Sequence, residues 1–116
     1  MQINTTRRSG FTLVEIMVVV AIIGLLAALA IPNFVKARMT AQKNACINNL
    51  KQIDSAKEQW ALENKKTEGD STAGSESAIN TFMKAAPACP GGGSYSYSAI
   101  GTVPGCSLGA SNGHTL

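Results

Sequence analysis

The sequence is short of the side chains that do chemistry. It holds one histidine, His114, and no carboxylate side chain beyond Glu76. No nucleophile stands with both a base and an orienting partner, so the sequence reads as a non-enzyme with no cofactor. The missing acids give no support to a calcium site in the C-terminal part, because calcium takes oxygen ligands, usually carboxylates. A surplus of one charge is absent too. Without Arg7 and Arg8 the chain carries eight basic and seven acidic residues. Nucleic-acid binding calls for a strongly basic face, so nucleic acid is not an expected partner. Glycine and proline are missing from residues 33–68, which leaves a long stretch free of helix breakers.

One apolar run dominates what is present. Residues 11–31 contain a single charge, Glu15, and a single hydroxyl, Thr12. A membrane-crossing helix needs about 20 residues, and this run meets that length. Val18, Val19, Val20, Ile22, Ile23 and Leu25 make it apolar on all faces, the pattern of burial in lipid or in a bundle. An unpaired acid inside such a run costs about 2.5–3.5 kcal/mol on insertion scales, so Glu15 calls for a partner. Gly24 is tolerated in a membrane helix, where small residues allow close approach. Pro32 removes a backbone donor and predicts a kink or local melt at the end of the run. Residues 1–10, MQINTTRRSG, are polar and carry two arginines, Arg7 and Arg8, just before the apolar run. That charge keeps this end cytoplasmic and sends the rest outward. Three processing routes fit. The segment is a leader cut before the run, a secretory signal cut after Ala30 at Ala28-Leu29-Ala30, or a twin-arginine signal at Arg7-Arg8. Only the first gives Glu15 a purpose.

Gly10-Phe11-Thr12-Leu13-Val14-Glu15 resembles the cleavage and methylation signal of the type IV pilin superfamily, which includes the pseudopilins of type II secretion. The resemblance covers residues 1 to about 65. It implies cleavage between Gly10 and Phe11 by a membrane-embedded prepilin peptidase, which also N-methylates Phe11. It further implies that Glu15 pairs with the Phe11 amine of a neighbouring subunit during assembly, and that Pro32 marks a helix kink. A charge pair is strongly favoured over either charge alone in a low-dielectric core, so the pairing would also set register. The implied product is a homo-oligomeric helical filament of this chain with other pseudopilins. It is drawn from membrane lipid by an inner-membrane assembly platform and its ATPase. The subunit would sit single-pass in the bacterial inner membrane, with its leader cytoplasmic and its head periplasmic. A type IV pilin for adhesion, motility or DNA uptake would share every N-terminal feature. A soluble binding module starting at Ile31 is the remaining alternative.

The fold class expected is α+β, a pilin-like lollipop. Its parts are the leader (1–10), a long helix (11–65) with its membrane segment (11–31), and a small head (66–116). Met39, Cys46, Leu50, Ile53, Ala56 and Trp60 form an apolar stripe at helical spacing, with Trp60 as core anchor. Lys36, Lys43, Lys51 and Lys57 are expected for the most part to face elsewhere. A continuous helix over 12–64 would measure about 80 Å. In the head, 67–75 reads as a loop and 76–86 as a short helix capped by Ser75. Residues 94–100 read as a strand with Tyr95 and Tyr97 on one face, returning at 106–108, with a further turn at Asn112-Gly113. The head holds nine of the eleven glycines, so it needs a staple. Three cysteines in an exported chain suggest a Cys89–Cys106 disulfide across the hairpin, worth about 3 kcal/mol. The competing use of Cys89, Cys106 and His114 is a zinc site. Three ligands without a paired-cysteine spacing favour the disulfide, so no metal is expected and Cys46 is left over. The segment 89–116 resembles the short C-terminal heads of some pseudopilin-like proteins. The calcium loop typical of major pseudopilins is not carried over, for want of acids.

Overall fold

A computed structural model describes Gln2 and residues 10–116. Met1 and residues 3–9, which hold most of the expected leader including Arg7 and Arg8, lie outside the described residues. The chain is α+β, and contacts divide it into two units, Met1–Lys36 and Ala37–Leu116. The division falls inside the first helix, so that helix's second half belongs with the head.

Helix α1 runs Leu13–Glu63 without a break and includes Pro32. The expected local melt is absent from this helix. Asn33 Nδ2 donates to the Leu29 carbonyl at 3.3 Å, supplying a side-chain donor one residue past the proline. The helix ends for a local reason. Lys65 adopts a left-handed φ of 52° and the Lys66 N–H bonds back to the Ala61 carbonyl at 2.8 Å. That is the six-to-one closure of a Schellman cap, here made without glycine. Asn64 adds a side-chain bond to the Trp60 carbonyl at 2.9 Å.

Within residues 37–116 the stripe on α1 is buried as read, at Cys46, Leu50, Ile53, Ala56 and Trp60. Met39 is a correction, being more than half exposed, three residues before Gln42, which bonds the Pro90 carbonyl. Lys57 is a second. It lies on the stripe, three residues before Trp60, and is fully buried. Its Nζ donates to the Thr102 carbonyl at 2.5 Å, which compensates part of the cost of burying a cation. Burial lowers its pKa, while Asp54 and Glu58 oppose that shift. Ile53, Ala56, Trp60 and Ala61 meet Ile79, Tyr97 and Ile100 in one core, with Phe82, Met83 and Tyr95 packed against it.

The remaining elements are shorter than the periodicity suggests. Helix α2 covers Glu76–Asn80 only, and the Ser75 side chain makes no cap bond. Turns follow, with Phe82 and Met83 half-buried. Strand β1 is Tyr95–Ser96 and pairs antiparallel with β2, Gly105–Cys106, setting Tyr95 opposite Cys106. Ser98 ends the strand early by taking a left-handed φ of 56°. That turn aims its carbonyl at the Thr72 hydroxyl, 2.5 Å away. The loop 67–75 is stitched to the same region. The Gly69 N–H donates to the Ile100 carbonyl and the Ile100 N–H donates to the Asp70 carbonyl, both at 2.9 Å. Helix α3, Gly109–Asn112, was not anticipated, but its C-cap Gly113, at φ 69°, is the expected Asn-Gly turn.

Candidate functional site

Two places concentrate the polar chemistry. The first opens α1. The Glu15 N–H donates to Thr12 Oγ1 at 3.2 Å, and the Thr12 N–H donates to Glu15 Oε2 at 3.0 Å. This reciprocal pair is a capping box, which satisfies two donors the helix start would leave open. Sequence reasoning missed it, although the signal, threonine three residues before glutamate at the head of an apolar run, was visible. Glu15 therefore has a partner inside its own chain. Gly10 and Phe11 precede the helix and are exposed, Phe11 at 86%. The 18-residue window that qualifies the helix as a candidate span has none of its residues buried, and Leu13, Ile23 and Leu26 are each more than half exposed.

The second place lies in residues 37–116. Cys46 projects from α1, Cys89 from the turn before Pro90, Cys106 from β2, and His114 from the residue after the α3 cap. Their ligand atoms all lie within 4.8 Å of one another. Cys46, Cys89 and His114 are buried and Cys106 half-buried. The expected Cys89–Cys106 disulfide is not formed, and all three cysteines are free. Cys89 and Cys106 sulfurs stand 3.7 Å apart, and His114 Nδ1 is 3.5 Å from Cys89 Sγ. The sequence named Cys89, Cys106 and His114 together only as the alternative to the disulfide, and it left Cys46 over. Cys46 lies 43 residues before Cys89, so no short motif marks it; its place on the buried stripe was the only cue.

The surroundings are built around the sulfurs. Backbone N–H groups of Gly91 and Gly93 turn toward Cys89. A Cβ at Gly93 would sit 2.8 Å from Cys106 Sγ, and one at Gly91 3.1 Å from His114 Cε1, so both glycines permit close approach. Asn49 Nδ2 donates at 3.0 Å to the Tyr95 hydroxyl, which in turn bonds Cys46. Asn49 also holds the Ala88 carbonyl at 3.0 Å, fixing the residue before Cys89. Burial pushes the Cys46 thiol up to about 12, with the Tyr95 hydroxyl opposing it. At Cys89 burial acts in the same sense, but the Gly91 and Gly93 N–H groups, His114 and Cys46 outweigh it and bring the thiol down to about 6. Three thiols and an imidazole in this arrangement are suited to holding a soft metal ion or to thiol oxidation, and to little else.

Comparison with known proteins bears on the first place. The family model for the prokaryotic N-terminal methylation motif matches residues 5–31. The type IV major pilin protein PilA of Myxococcus xanthus (strain DK1622) is 47% identical over 57 residues, which is 49% of this chain and 26% of that protein. The type II secretion system core protein G of Escherichia coli (strain K12) is 38% identical over 60 residues, 52% of this chain and 41% of that protein. A fimbrial protein of Pseudomonas aeruginosa is 38% identical over 65 residues, 56% of this chain and 42% of that protein. The matched stretches thus span about a quarter to two-fifths of these relatives. No solved structure matches the chain.

Proposed function

We propose that this chain, pilin-like in its N-terminal half, is a filament subunit of the type II secretion pseudopilin kind. One observation carries the reading: a helix apolar enough to cross a membrane, uncovered by its own chain, that opens on an acid held in a capping box. Such a face is covered by lipid first and by neighbouring subunits after assembly. The capping box fits storage in the membrane. It gives Glu15 two local bonds while no partner subunit is present, which reduces the cost of holding an acid near the bilayer. Exchange of that arrangement for a pair with a neighbour's Phe11 amine would then favour the filament. In this reading a prepilin peptidase cuts after Gly10 and methylates Phe11, and an ATP-driven platform in the inner membrane extracts the subunit. Motion of the periplasmic filament would drive protein export. The several relatives named type II secretion system core protein G support the pseudopilin reading. The higher identity to PilA supports a type IV pilin as the second reading.

Intact mass and N-terminal sequencing of the chain taken from membranes test the pathway. A methylated Phe11 start is expected; an Ile31 start overturns the filament reading. Glu15→Val should still insert in the membrane and be processed but should drop out of filaments, and its normal incorporation would remove Glu15 from assembly. Long surface fibres built from this chain would select the pilin over the pseudopilin.

A further inference from the structure

We infer that Cys46, Cys89, Cys106 and His114 form a closed, structural zinc site that staples the head to α1. This inference does not depend on the pilin reading, since all four residues lie in one compact unit, 37–116.

The geometry argues for coordination. Zinc takes thiolates at about 2.3 Å and imidazole nitrogen at about 2.0–2.1 Å, almost always as a tetrahedron in structural sites. Such a tetrahedron has sulfur–sulfur edges of about 3.8 Å and sulfur–nitrogen edges of about 3.5 Å. The Cys89–Cys106 separation is 3.7 Å and the Cys89–His114 separation 3.5 Å. A disulfide, by contrast, needs sulfurs about 2.05 Å apart and has no use for a buried imidazole aimed at one of them. It would also leave Cys46 a buried thiol in contact with a closed bridge. Ligand chemistry narrows the ion. Three soft thiolates with one imidazole select zinc among single divalent ions, and calcium or magnesium are excluded by the lack of oxygen ligands.

The outer contacts are those a thiolate site needs. Metal-bound sulfurs carry negative charge and are steadied by hydrogen-bond donors around them. Cys89 has the Gly91 and Gly93 N–H groups, and Cys46 has the Tyr95 hydroxyl, itself positioned by Asn49. Four protein ligands leave no open position, so the ion would hold structure rather than act on a substrate. The site supplies what the head lacks. Its apolar core rests on α1 from Ile53 to Ala61, and the cluster ties the turn at Cys89, strand β2 and the segment at His114 to α1 at Cys46.

The test uses the full-length chain purified from membranes in detergent, without chelator. Elemental analysis should find one zinc per chain, and the denatured mass should show three free thiols. A mass two hydrogens lighter, with Cys89 and Cys106 joined in a peptide map, overturns the site in favour of the disulfide. Three free thiols without zinc, or a different metal in the site, overturn it as well. Cys46→Ser separates the two chemistries, because it removes a zinc ligand but leaves a Cys89–Cys106 bridge possible. It should weaken zinc retention against a chelator by more than the 10–100-fold typical of losing an outer contact. His114→Cys guards against simple misfolding. It keeps four ligands, so it should retain zinc, and after cobalt substitution it should show stronger sulfur-to-cobalt charge transfer than the parent. Loss of the metal from His114→Cys, with Cys46→Ser still binding, would rule out this ligand set.

Discussion

The two halves of α1 are one helix with opposite fates. Residues 13–31 are almost wholly apolar, yet the chain covers none of their large side chains. The half that ends at Glu63 is mostly polar, yet Cys46, Leu50 and Ile53 are completely buried. Hydrophobicity therefore does not say where a residue is buried within the chain. It says that cover is needed, and the sparse stripe finds it in the head whereas the continuous run must find it elsewhere. Polarity misleads in the same way at Lys57, whose burial is set by its position on the stripe and whose ammonium donates to the Thr102 carbonyl.

Truncations should separate the halves most sharply. Trp60→Ala should destabilise the head by about 3–5 kcal/mol, the range for emptying a large buried aromatic site. Leu25→Ala should leave thermal unfolding of the detergent-solubilised head unchanged. Equal shifts in the two variants would mean that the halves are not independently covered. Gly93→Ala should come next, at about 1–3 kcal/mol, because its methyl would press on Cys106 Sγ. The same change at Gly24, where a Cβ meets nothing within 4 Å, should be neutral in the same assay.

Lys57→Met should be mild or stabilising, by about 1 kcal/mol, since it replaces a buried cation with an apolar side chain of similar length. Its pH dependence gives the sharper readout. The folded-state pKa of Lys57 lies below its ordinary value of 10.5, so the unfolded chain binds more protons between the two values. The parent should therefore gain stability as pH rises through the folded pKa toward 10.5. Lys57→Met should lack that component, and parallel pH profiles would show that Lys57 is not held against its charge. Smallest is Thr12→Ala, which removes one arm of the capping box and costs about 1 kcal/mol at the helix start. Faster amide exchange at Glu15 and the residues beside it, with no change in the head, is the expected signature.

Legibility followed the same divide. The helix from 12 to 64 was readable to within a residue at each end, because a long periodic pattern without breakers has few competitors. Trp60 as an anchor followed from its place on that pattern. The head was readable as turns and a hairpin but not in its lengths, since Ser98 takes a left-handed conformation that favours glycine. The Thr72 hydroxyl holds the Ser98 carbonyl from 26 residues away, and such a bond leaves no periodic trace. The capping box was present as a motif, Thr12 three residues before Glu15, but an acid in an apolar run reads first as one in need of an intermolecular partner. The thiol cluster was three-quarters visible. Its fourth member stayed hidden because a ligand on a helix is defined by what folds onto it.

Timing follows from that separation. Cys46 and His114 are 68 residues apart along the chain, with Cys89 and Cys106 between them. Closing so long a loop carries an entropic cost that local contacts do not, and such contacts form late. In a chain delivered from its N-terminus, α1 is made long before His114 arrives to complete the cluster. The four-residue site is thus a record of completion. A copy that stalls or is cut between residues 106 and 114 has its helix and its hairpin sulfurs but cannot close the set.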